Sequence, residues 1–330
     1  MGFWERLTRG TEEKPGVRIG FIGDGPDADL LRKGYERHPQ AEIISAEPIA
    51  RSDEVIRSPG IHAIEVFASP GDSARVALAC LKAGIHTSVP APLAMSLEKA
   101  DELIETARNY ELTLRVRQQI LYYDPVIKAK DLIKKRAIGR PITLKLMLKV
   151  TGMDKPDFDR AEWLIENQTS YLALAEDFLG PVEKIHARLE ANQTNGIPCS
   201  NVVAWKYCEK HQYGYLQVDF TPGLHVRTFT DPIYRAVEIT GTDGVMFINR
   251  AEGQLLRQPV LVVRAKDKTI VHEMLKDDWR EVFSTMARDM VRAVIENKQP
   301  RSNANSSRNA LLLALAAKDS IENGREVLLT

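Results

Sequence analysis

The chain has 330 residues, more than one hydrophobic core usually organises, so its length favours two domains. Lysine plus arginine and aspartate plus glutamate number 45 each, and this balance argues against a general attraction to nucleic acid or to an anionic membrane. No apolar run approaches the ~20 residues that cross a bilayer, and the N-terminus has no apolar segment long enough for a secretion signal. The three cysteines make no disulfide framework, so we expect a cytoplasmic protein.

The first part of the chain alternates between strand and helix patterns, which predicts an α/β fold with a doubly wound parallel sheet. Residues 1–16 are interpreted as an N-terminal extension and residues 17–121 as a dinucleotide-binding domain of the Rossmann type. Val17 to Gly23 is a continuous apolar run stopped by glycine, as expected for a buried parallel strand. The next predicted elements are a helix at 27–37, strands at 41–46 and 62–68, a helix at 73–83, a strand at 85–89, a helix at 96–110 and a strand at 112–116.

Residues 122–330 have a different pattern, in which apolar and polar residues alternate with period two. This predicts a second α/β domain with a mostly antiparallel open sheet. Two helices, at 277–297 and 303–323, are expected to interrupt or close the sheet, and the C-terminal one could pack back on the first domain. Cys199, Cys208 and His211 lack a fourth ligand, so no metal site is predicted. Strands are predicted at 142–146, 213–221, 224–230 and 236–240.

A dinucleotide-binding signature follows the first strand. Gly23-Asp24-Gly25-Pro26-Asp27-Ala28 matches G-x-G-x-x-A and opens a helix, and Glu47 ends the next strand 22 residues after Gly25. Gly23 permits the tight turn, Gly25 lets the backbone approach a pyrophosphate, and Ala28 allows close packing of helix and strand. The helix N-terminus, including Pro26 and Asp27, would face the phosphates with its positive dipole end.

The same segment carries charges that oppose phosphate binding. Asp24, Asp27 and Asp29 crowd the expected pyrophosphate position, although carboxylates also favour a helix N-terminus for its own sake. Glu47 would repel a 2′-phosphate, which favours NAD over NADP, while Arg51 is an argument for NADP. The sequence also leaves open the alternative that the protein binds no cofactor.

Several segments carry a resemblance to a known family. Residues 83–98 read AGIHTSVPAPLAMSLE, and this frame resembles the strand–turn–helix "G-x-H-V-x-x-E-K-P-L-A" of the glucose–fructose oxidoreductase / inositol dehydrogenase (Gfo/Idh/MocA) family. Residues 59–66, 68–74 and 241–244 are similar to its "pdvDaVvv" strand, its "atPnxxH" loop and its "GtxG" turn. The resemblance covers nearly the whole chain from residue 17.

The departures from the family pattern cluster where the family has its active site. Ala91 stands at the position of the catalytic lysine and Pro90 at the preceding glutamate. Counting back from the glycine at 180 puts Ala173 at the family aspartate, Ser170 at its histidine and Glu166 at an earlier acid. The chain is also about a dozen residues shorter than the family norm between positions 47 and 58, so a crossover helix beside the adenosine site should be reduced or absent.

The resemblance implies hydride transfer between NAD(P) and a small hydroxyl or carbonyl compound that is sugar- or cyclitol-like. Ser69, Pro70 and Ala91 would then flank the nicotinamide. Because alanine cannot hold a proton, the acid–base group would have to be relocated. The candidates are Tyr122, Tyr123, Glu166 and Lys155, and the substrate contacts would include Arg160, Trp163 and Ser170.

Four of these residues also have a purely structural interpretation. Tyr122 and Tyr123 also suit aromatic packing at a domain hinge, and Lys155 and Glu166 also suit a solvated surface. A catalytically inactive relative that acts as a nucleotide-binding sensor, scaffold or partner subunit is therefore an open alternative, as is a lyase, hydrolase or isomerase that retains NAD. In the family, the second domain binds the substrate and its sheet commonly builds oligomers. The resemblance therefore implies that residues 122–330 form a substrate-binding and oligomerisation domain. A homodimer or homotetramer is expected, with a small molecule as the other partner.

Overall fold

The computed structural model describes residues 16–150, 160–191, 198–221, 223–224, 233–249, 258–276 and 278–329. Lys155, a predicted catalytic residue, lies outside these ranges, as do the extension at 1–15 and most of the strand predicted at 224–230. Within the described residues, no helix is both long enough and apolar enough to cross a membrane.

A parallel sheet forms from the first part of the chain, as predicted. Its strands run in the order β2-β1-β3-β4-β5, and every neighbouring pair among them is parallel. The inner strands β1 and β3 are buried along almost their whole length, because helices cover both faces of such a sheet. Their bounds are β1 Val17–Ile22, β2 Ala41–Glu47, β3 Ala63–Val66, β4 His86–Pro90 and β5 Leu114–Arg117.

The connections of this sheet follow the sequence prediction with shifts at the ends. A helix begins at Pro70 rather than at residue 73, because the Ser69 hydroxyl accepts a hydrogen bond from the Asp72 N–H and Pro70 occupies the first turn. The crossover after β2 is reduced to the 3-10 turn Ile49–Arg51 and a five-residue helix, which confirms the shortening. The helices are α1 Pro26–Glu36, α2 Ser52–Ile56, α3 Pro70–Lys82 and α4 Leu97–Asn109.

A second sheet contains the remaining strands, in the order β13-β12-β11-β10-β6-β9-β8-β7-β14 among the described residues. It is antiparallel except for the pair β6 and β9, which confirms the predicted mostly antiparallel sheet. The bounds are β6 Pro141–Val150, β7 Val182–Ala191, β8 Pro198–Tyr207, β9 Tyr213–Phe220, β10 Ile233–Gly241, β11 Gly244–Ile248, β12 Leu261–Ala265, β13 Lys268–His272 and β14 Val327–Leu328.

The prediction of only two helices in this part of the chain is wrong. The described residues include two more, α5 Asp124–Lys134 and α6 Arg160–Leu179. A 3-10 turn at Gln119–Tyr122 leads into α5, where Pro125 lies in the first turn and buries with Val126 and Ala129. That proline and the apolar spacing after it were a usable helix signal in the sequence.

The two predicted helices are α7 Trp279–Glu296 and α8 Ala304–Asn323. Asn303 caps α8 at its start and Gly324 ends it in the left-handed conformation. Both helices pack against helices that cover the parallel sheet: α7 packs on α1, and α8 packs on α4. The division of the chain into domains at residue 122 stays a prediction.

A buried ion cluster joins the strands at the centre of the parallel sheet. Glu65 on β3 binds both Arg115 and Arg117 on β5, with Oε1 2.5 Å from Arg115 Nη2 and Oε2 2.8 Å from Arg117 Nη1. The Tyr35 hydroxyl on α1 donates to Glu65 Oε1 at 2.5 Å, and Arg115 also donates to the carbonyl of Met286 on α7. The cluster therefore ties two strands and two helices together through one carboxylate.

The protonation of this carboxylate follows from its partners. Burial alone raises the pKa of Glu65, but Arg115, Arg117 and the Tyr35 hydroxyl outweigh it and hold the pKa below its ordinary value. The Glu65 side chain is 1% exposed, so the two arginines have little access to water as an alternative partner. Removing the carboxylate charge would leave two buried cations next to each other.

We predict that Glu65→Gln lowers the free energy of unfolding by about 3–5 kcal/mol, as expected for breaking a buried ion pair. The stabilisation from Glu65 should be complete above its unfolded-state pKa of about 4.3 and disappear as the pH falls through the lower folded-state pKa. Denaturant unfolding at several pH values measures both effects.

The matched control is Glu54→Gln, whose carboxylate is 61% exposed and lies 3.7 Å from Arg51. Its effect should stay within about 0.5 kcal/mol. Equal stabilities for the two variants would mean that the buried cluster does not support the fold.

Candidate functional site

The predicted cofactor residues gather at one edge of the parallel sheet. Carboxyl ends of parallel strands meet at the same edge, and ligands of such folds bind there. The turn from Gly23 to Ala28 follows β1, Glu47 ends β2, Ser69 and Pro70 follow β3, and Ala91 follows β4. The individual roles of these residues stay predictions, and their geometry is as follows.

The turn after β1 requires glycine at two positions. Gly23 has φ +93°, and a Cβ there would lie 1.9 Å from the carbonyl oxygen of Phe67. The Gly23 N–H donates to the Glu47 carbonyl at 2.8 Å, so the turn is fixed to the neighbouring strand. Gly25 has φ +121° and ψ 172°, a combination that is almost restricted to glycine.

The space where a side chain of residue 25 would lie is open, because a Cβ built on Gly25 meets no atom within 4 Å. Pro26 occupies the first position of α1, and the Asp29 N–H makes the first helical hydrogen bond, to the Gly25 carbonyl at 3.1 Å. Ala28 is fully buried against the strand. The positive end of α1 therefore faces an open space bordered by a bare backbone, as an anion site requires.

Two of the three aspartates around this turn have cationic or amide partners. Asp27 accepts a hydrogen bond from Gln119 Nε2 at 3.1 Å. Burial lowers the pKa of Arg117, and the charges of Glu65 and, more weakly, of Asp27 oppose that lowering. Asp29 pairs with Arg32 at 3.2 Å. Asp24 is exposed to solvent. The repulsion expected from the sequence is therefore reduced at Asp27 and Asp29.

The ribose-side carboxylate also has a partner. Glu47 Oε2 lies 2.5 Å from Arg51 Nη2, in the 3-10 turn that replaces the usual crossover. Arg51 lies 3.7 Å from Glu54 as well, so its guanidinium is held between two carboxylates. A cation and an anion are thus both available where the adenosine ribose would bind.

The ends of β3 and β4 border the same edge. Ser69 and Pro70 begin α3, so a second helix N-terminus lies beside the first. At the end of β4, Pro90 pairs in register with Arg117, and Ala91 is half-buried against the core. Neither Pro90 nor Ala91 carries a group that can exchange a proton.

The two tyrosines proposed as relocated acids lie in the protein interior. Tyr122 is 1% exposed and donates from its hydroxyl to Asp289 Oδ2 at 2.8 Å, and Tyr123 is fully buried with its ring 5.4 Å from that of Trp279. Burial raises the pKa of the Tyr122 hydroxyl well above its ordinary value. This burial favours the interpretation of both side chains as packing residues over that of proton donors to a substrate.

The predicted substrate residues belong to α6. Ser170 is half-buried, and Ala173 is buried one turn later. Arg160, Trp163 and Glu166 occupy the first half of the same helix. The helix packs against the 3-10 turn that follows β5, so it flanks the carboxyl edge of the parallel sheet.

The structure also brings together polar residues that the sequence analysis missed. Arg235, on β10, is buried and donates from Nε to the Tyr171 hydroxyl at 2.5 Å. Gln168 is 1% exposed, and neither of its amide atoms has a hydrogen-bond partner in the described part of the chain. A buried amide without partners is rare enough to mark a position for a ligand or water. In the sequence, the signal available for Gln168 was its position two residues before Ser170.

The arrangement fits a dinucleotide. The bare turn at Gly25 and the N-terminus of α1 fit a pyrophosphate, and Glu47 stands at the strand end that contacts a ribose. Such a cofactor would supply a hydride acceptor or donor.

Comparison with known proteins agrees with this geometry. Residues 28–118 match the sequence profile of GFO_IDH_MocA, the oxidoreductase family with an NAD-binding Rossmann fold. A myo-inositol 2-dehydrogenase from Thermotoga maritima is 21% identical over 305 residues, which cover 83% of this chain and 81% of that protein.

Solved structures share the fold across both sheets. An oxidoreductase from Agrobacterium radiobacter, in complex with NAD+, L-tartaric acid and magnesium, aligns with a TM-score of 0.81 at 15% identity over 94% of this chain and 98% of its own. A levoglucosan dehydrogenase in complex with NADH and levoglucosan aligns with a TM-score of 0.81 at 16% identity over 95% and 99%. The glycine turn and the strand order of the parallel sheet agree with the match of residues 28–118 to the NAD-binding Rossmann fold of the GFO_IDH_MocA oxidoreductase family.

Proposed function

We propose that this protein is an NAD-dependent oxidoreductase that transfers a hydride to or from a small, sugar- or cyclitol-like hydroxyl or carbonyl compound. The observation that carries the proposal is the open glycine turn at Gly23 and Gly25, at the N-terminus of α1. The substrate class is taken from relatives whose names refer to myo-inositol and levoglucosan.

Cofactor binding would use residues from four strand ends. The backbone at Gly25, Pro26 and Asp27 would bind the pyrophosphate, and Glu47 the adenosine ribose. Ser69 and Pro70 would border the nicotinamide, with Ala91 on its other side. NAD is proposed over NADP because the Glu47 carboxylate would oppose a 2′-phosphate, although Arg51 lies beside it.

Proton transfer would have to come from α6 or from the segment before it, because Ala91 cannot supply it. Glu166 and Lys155 are the remaining proposed acid–base residues. Arg160, Trp163 and Ser170 are the proposed substrate contacts, and Gln168 adds a buried amide to the same helix. A general base near the reacting hydroxyl contributes about 10²–10⁴-fold to the rate.

A second function is favoured by the loss of side chains at the family's catalytic positions. Ala91, Ser170 and Ala173 replace three groups that handle protons in the family, and Ala91 packs partly on the core. A protein that binds NAD(H) without turnover, as a sensor, scaffold or partner subunit, would keep the glycine turn and tolerate these changes.

A homo-oligomer is part of the proposal. The face of the nine-stranded sheet that turns away from the helices exposes apolar side chains at Tyr213 and Val202. Such residues suit a face covered by a second copy of the chain.

Binding of NAD(H) should depend on the bare backbone at Gly25. We predict that Gly25→Asp weakens NAD(H) binding at least about 100-fold, because it adds a carboxylate and a side chain to the phosphate position. Calorimetric titration with NAD(H) and NADP(H) measures this, after removal of any nucleotide that co-purifies.

The matched control for this variant is Gly84→Asp, at another positive φ (+79°) with open space, between α3 and β4 at the opposite edge of the sheet. It should lose stability without losing affinity. Failure of the wild-type protein to bind either cofactor up to millimolar concentration would reject both proposed functions.

Cofactor preference should depend on the pair formed by Glu47 and Arg51. We predict that Glu47→Gln strengthens NADP(H) binding about tenfold, or about 1.4 kcal/mol, because Arg51 becomes available to a 2′-phosphate. Glu54→Gln removes the more distant partner of Arg51 and should change the preference little. Equal gains in the two variants, or no gain in either, would contradict a ribose-binding role for Glu47.

Turnover separates the two proposed functions. With NAD+ and a panel of cyclitols and sugars, followed by NADH absorbance, we predict activity that falls about 10²–10⁴-fold in Glu166→Gln at unchanged NAD(H) affinity. Glu105→Gln, on the exposed side of α4, is the control. Tight NAD(H) binding without turnover on any compound would instead support the non-catalytic function.

A further inference from the structure

A positively charged cleft lies beside the 3-10 turn that follows β5. It has a volume of about 460 Å³ between α5, α7 and the loop before α8. Four cationic side chains line it: Lys130, Arg288, Arg292 and Arg301. This volume is within the usual range of small-molecule sites, about 300–1,000 Å³.

The floor of the cleft is built from buried hydrogen-bonded groups. Asp289 Oδ2 accepts from the Tyr122 hydroxyl and from the backbone N–H of Arg301, both at 2.8 Å, and Oδ1 lies 2.5 Å from Arg292 Nη2. The carboxylate is thus fully used in holding α7, the 3-10 turn and the loop together. It fixes the positions from which the cations extend.

The charges in the cleft do not balance. Lys130 pairs with Asp177 and Arg292 with Asp289, so four cations face two carboxylates and two positive charges are in excess. Arg288 donates only to the Thr285 hydroxyl, and no group in the described ranges accepts a hydrogen bond from the Arg301 guanidinium. The whole chain has a formal net charge of zero, so this excess is local.

We propose that this cleft binds a small multivalent phosphate compound through Arg288 and Arg301. Guanidinium groups match phosphate oxygens in bidentate geometry, and two of them on a rigid floor suit a ligand with at least two negative charges. Lys130 and Arg292 border the ligand and keep their own carboxylate partners. No residue of the dinucleotide turn lines this cleft, and the site does not depend on the proposed oxidoreductase function.

The test uses inorganic tripolyphosphate as the probe, titrated calorimetrically into the full-length protein at low ionic strength. The double variant Arg288→Gln/Arg301→Gln should raise the dissociation constant at least about tenfold. Both residues are exposed, so the variant should fold, and circular dichroism melts verify this.

Two controls make the result specific. Arg57→Gln/Arg325→Gln removes the same two charges at side chains that are 82% and 70% exposed and lie outside the cleft, so it matches the change in net charge. Gly25→Asp removes the other phosphate-binding candidate. Binding should be unchanged in both. Equal loss in the charge-matched control, loss in Gly25→Asp, or no binding by the wild-type protein would overturn the proposal.

Discussion

The ion cluster of Glu65, Arg115 and Arg117 is the constraint that the rest of the structure depends on. It lies in the centre of the parallel sheet, and Arg115 and Arg117 also donate to Ser88 on the intervening strand β4. Because a single carboxylate faces two guanidinium groups, the cluster has an excess of one positive charge. An excess charge in a buried place has to be balanced by carboxylates at its border.

Those balancing carboxylates belong to the two candidate sites. Burial lowers the pKa of both arginines and Glu65 opposes this most strongly, so the pKa of Arg115 is raised and that of Arg117 stays below its ordinary value. Asp27 adds a smaller opposing effect at Arg117, and Asp289 does so at Arg115. Asp27 is in the first turn of α1 beside the dinucleotide turn, and Asp289 is on the floor of the basic cleft. An aspartate that looks unfavourable for phosphate binding in the sequence therefore has a structural reason to be there. The negative charge of Asp27 acts in part on the buried Arg117.

The sequence predicts the elements whose signals are local. The helices predicted at 96–110 and 303–323, the glycine turn and the shortened crossover all depend on neighbouring residues, and the structure has them. The ion cluster depends on residues about 50 positions apart, and the alternating pattern of β5 gives no sign that its arginines are buried. The burial of Tyr122 depends on Asp289, which is 167 residues away. Pairings of this kind follow from the tertiary fold, so the catalytic assignment of Tyr122 could not be tested from the sequence.

The departures at the catalytic positions have a physical connection to the same cluster. Pro90 pairs in register with Arg117, so position 91 follows a residue that lies beside the buried cations. A lysine there would add a cation close to a group that already has an excess positive charge, and its pKa would be lowered by repulsion. The elements proposed to bind the pyrophosphate and the ribose are the ends of β1 and β2, whereas the changed positions follow β4 or lie on α6. Cofactor binding and proton transfer are thus assigned to different elements, and a chain can keep the first after the second has changed.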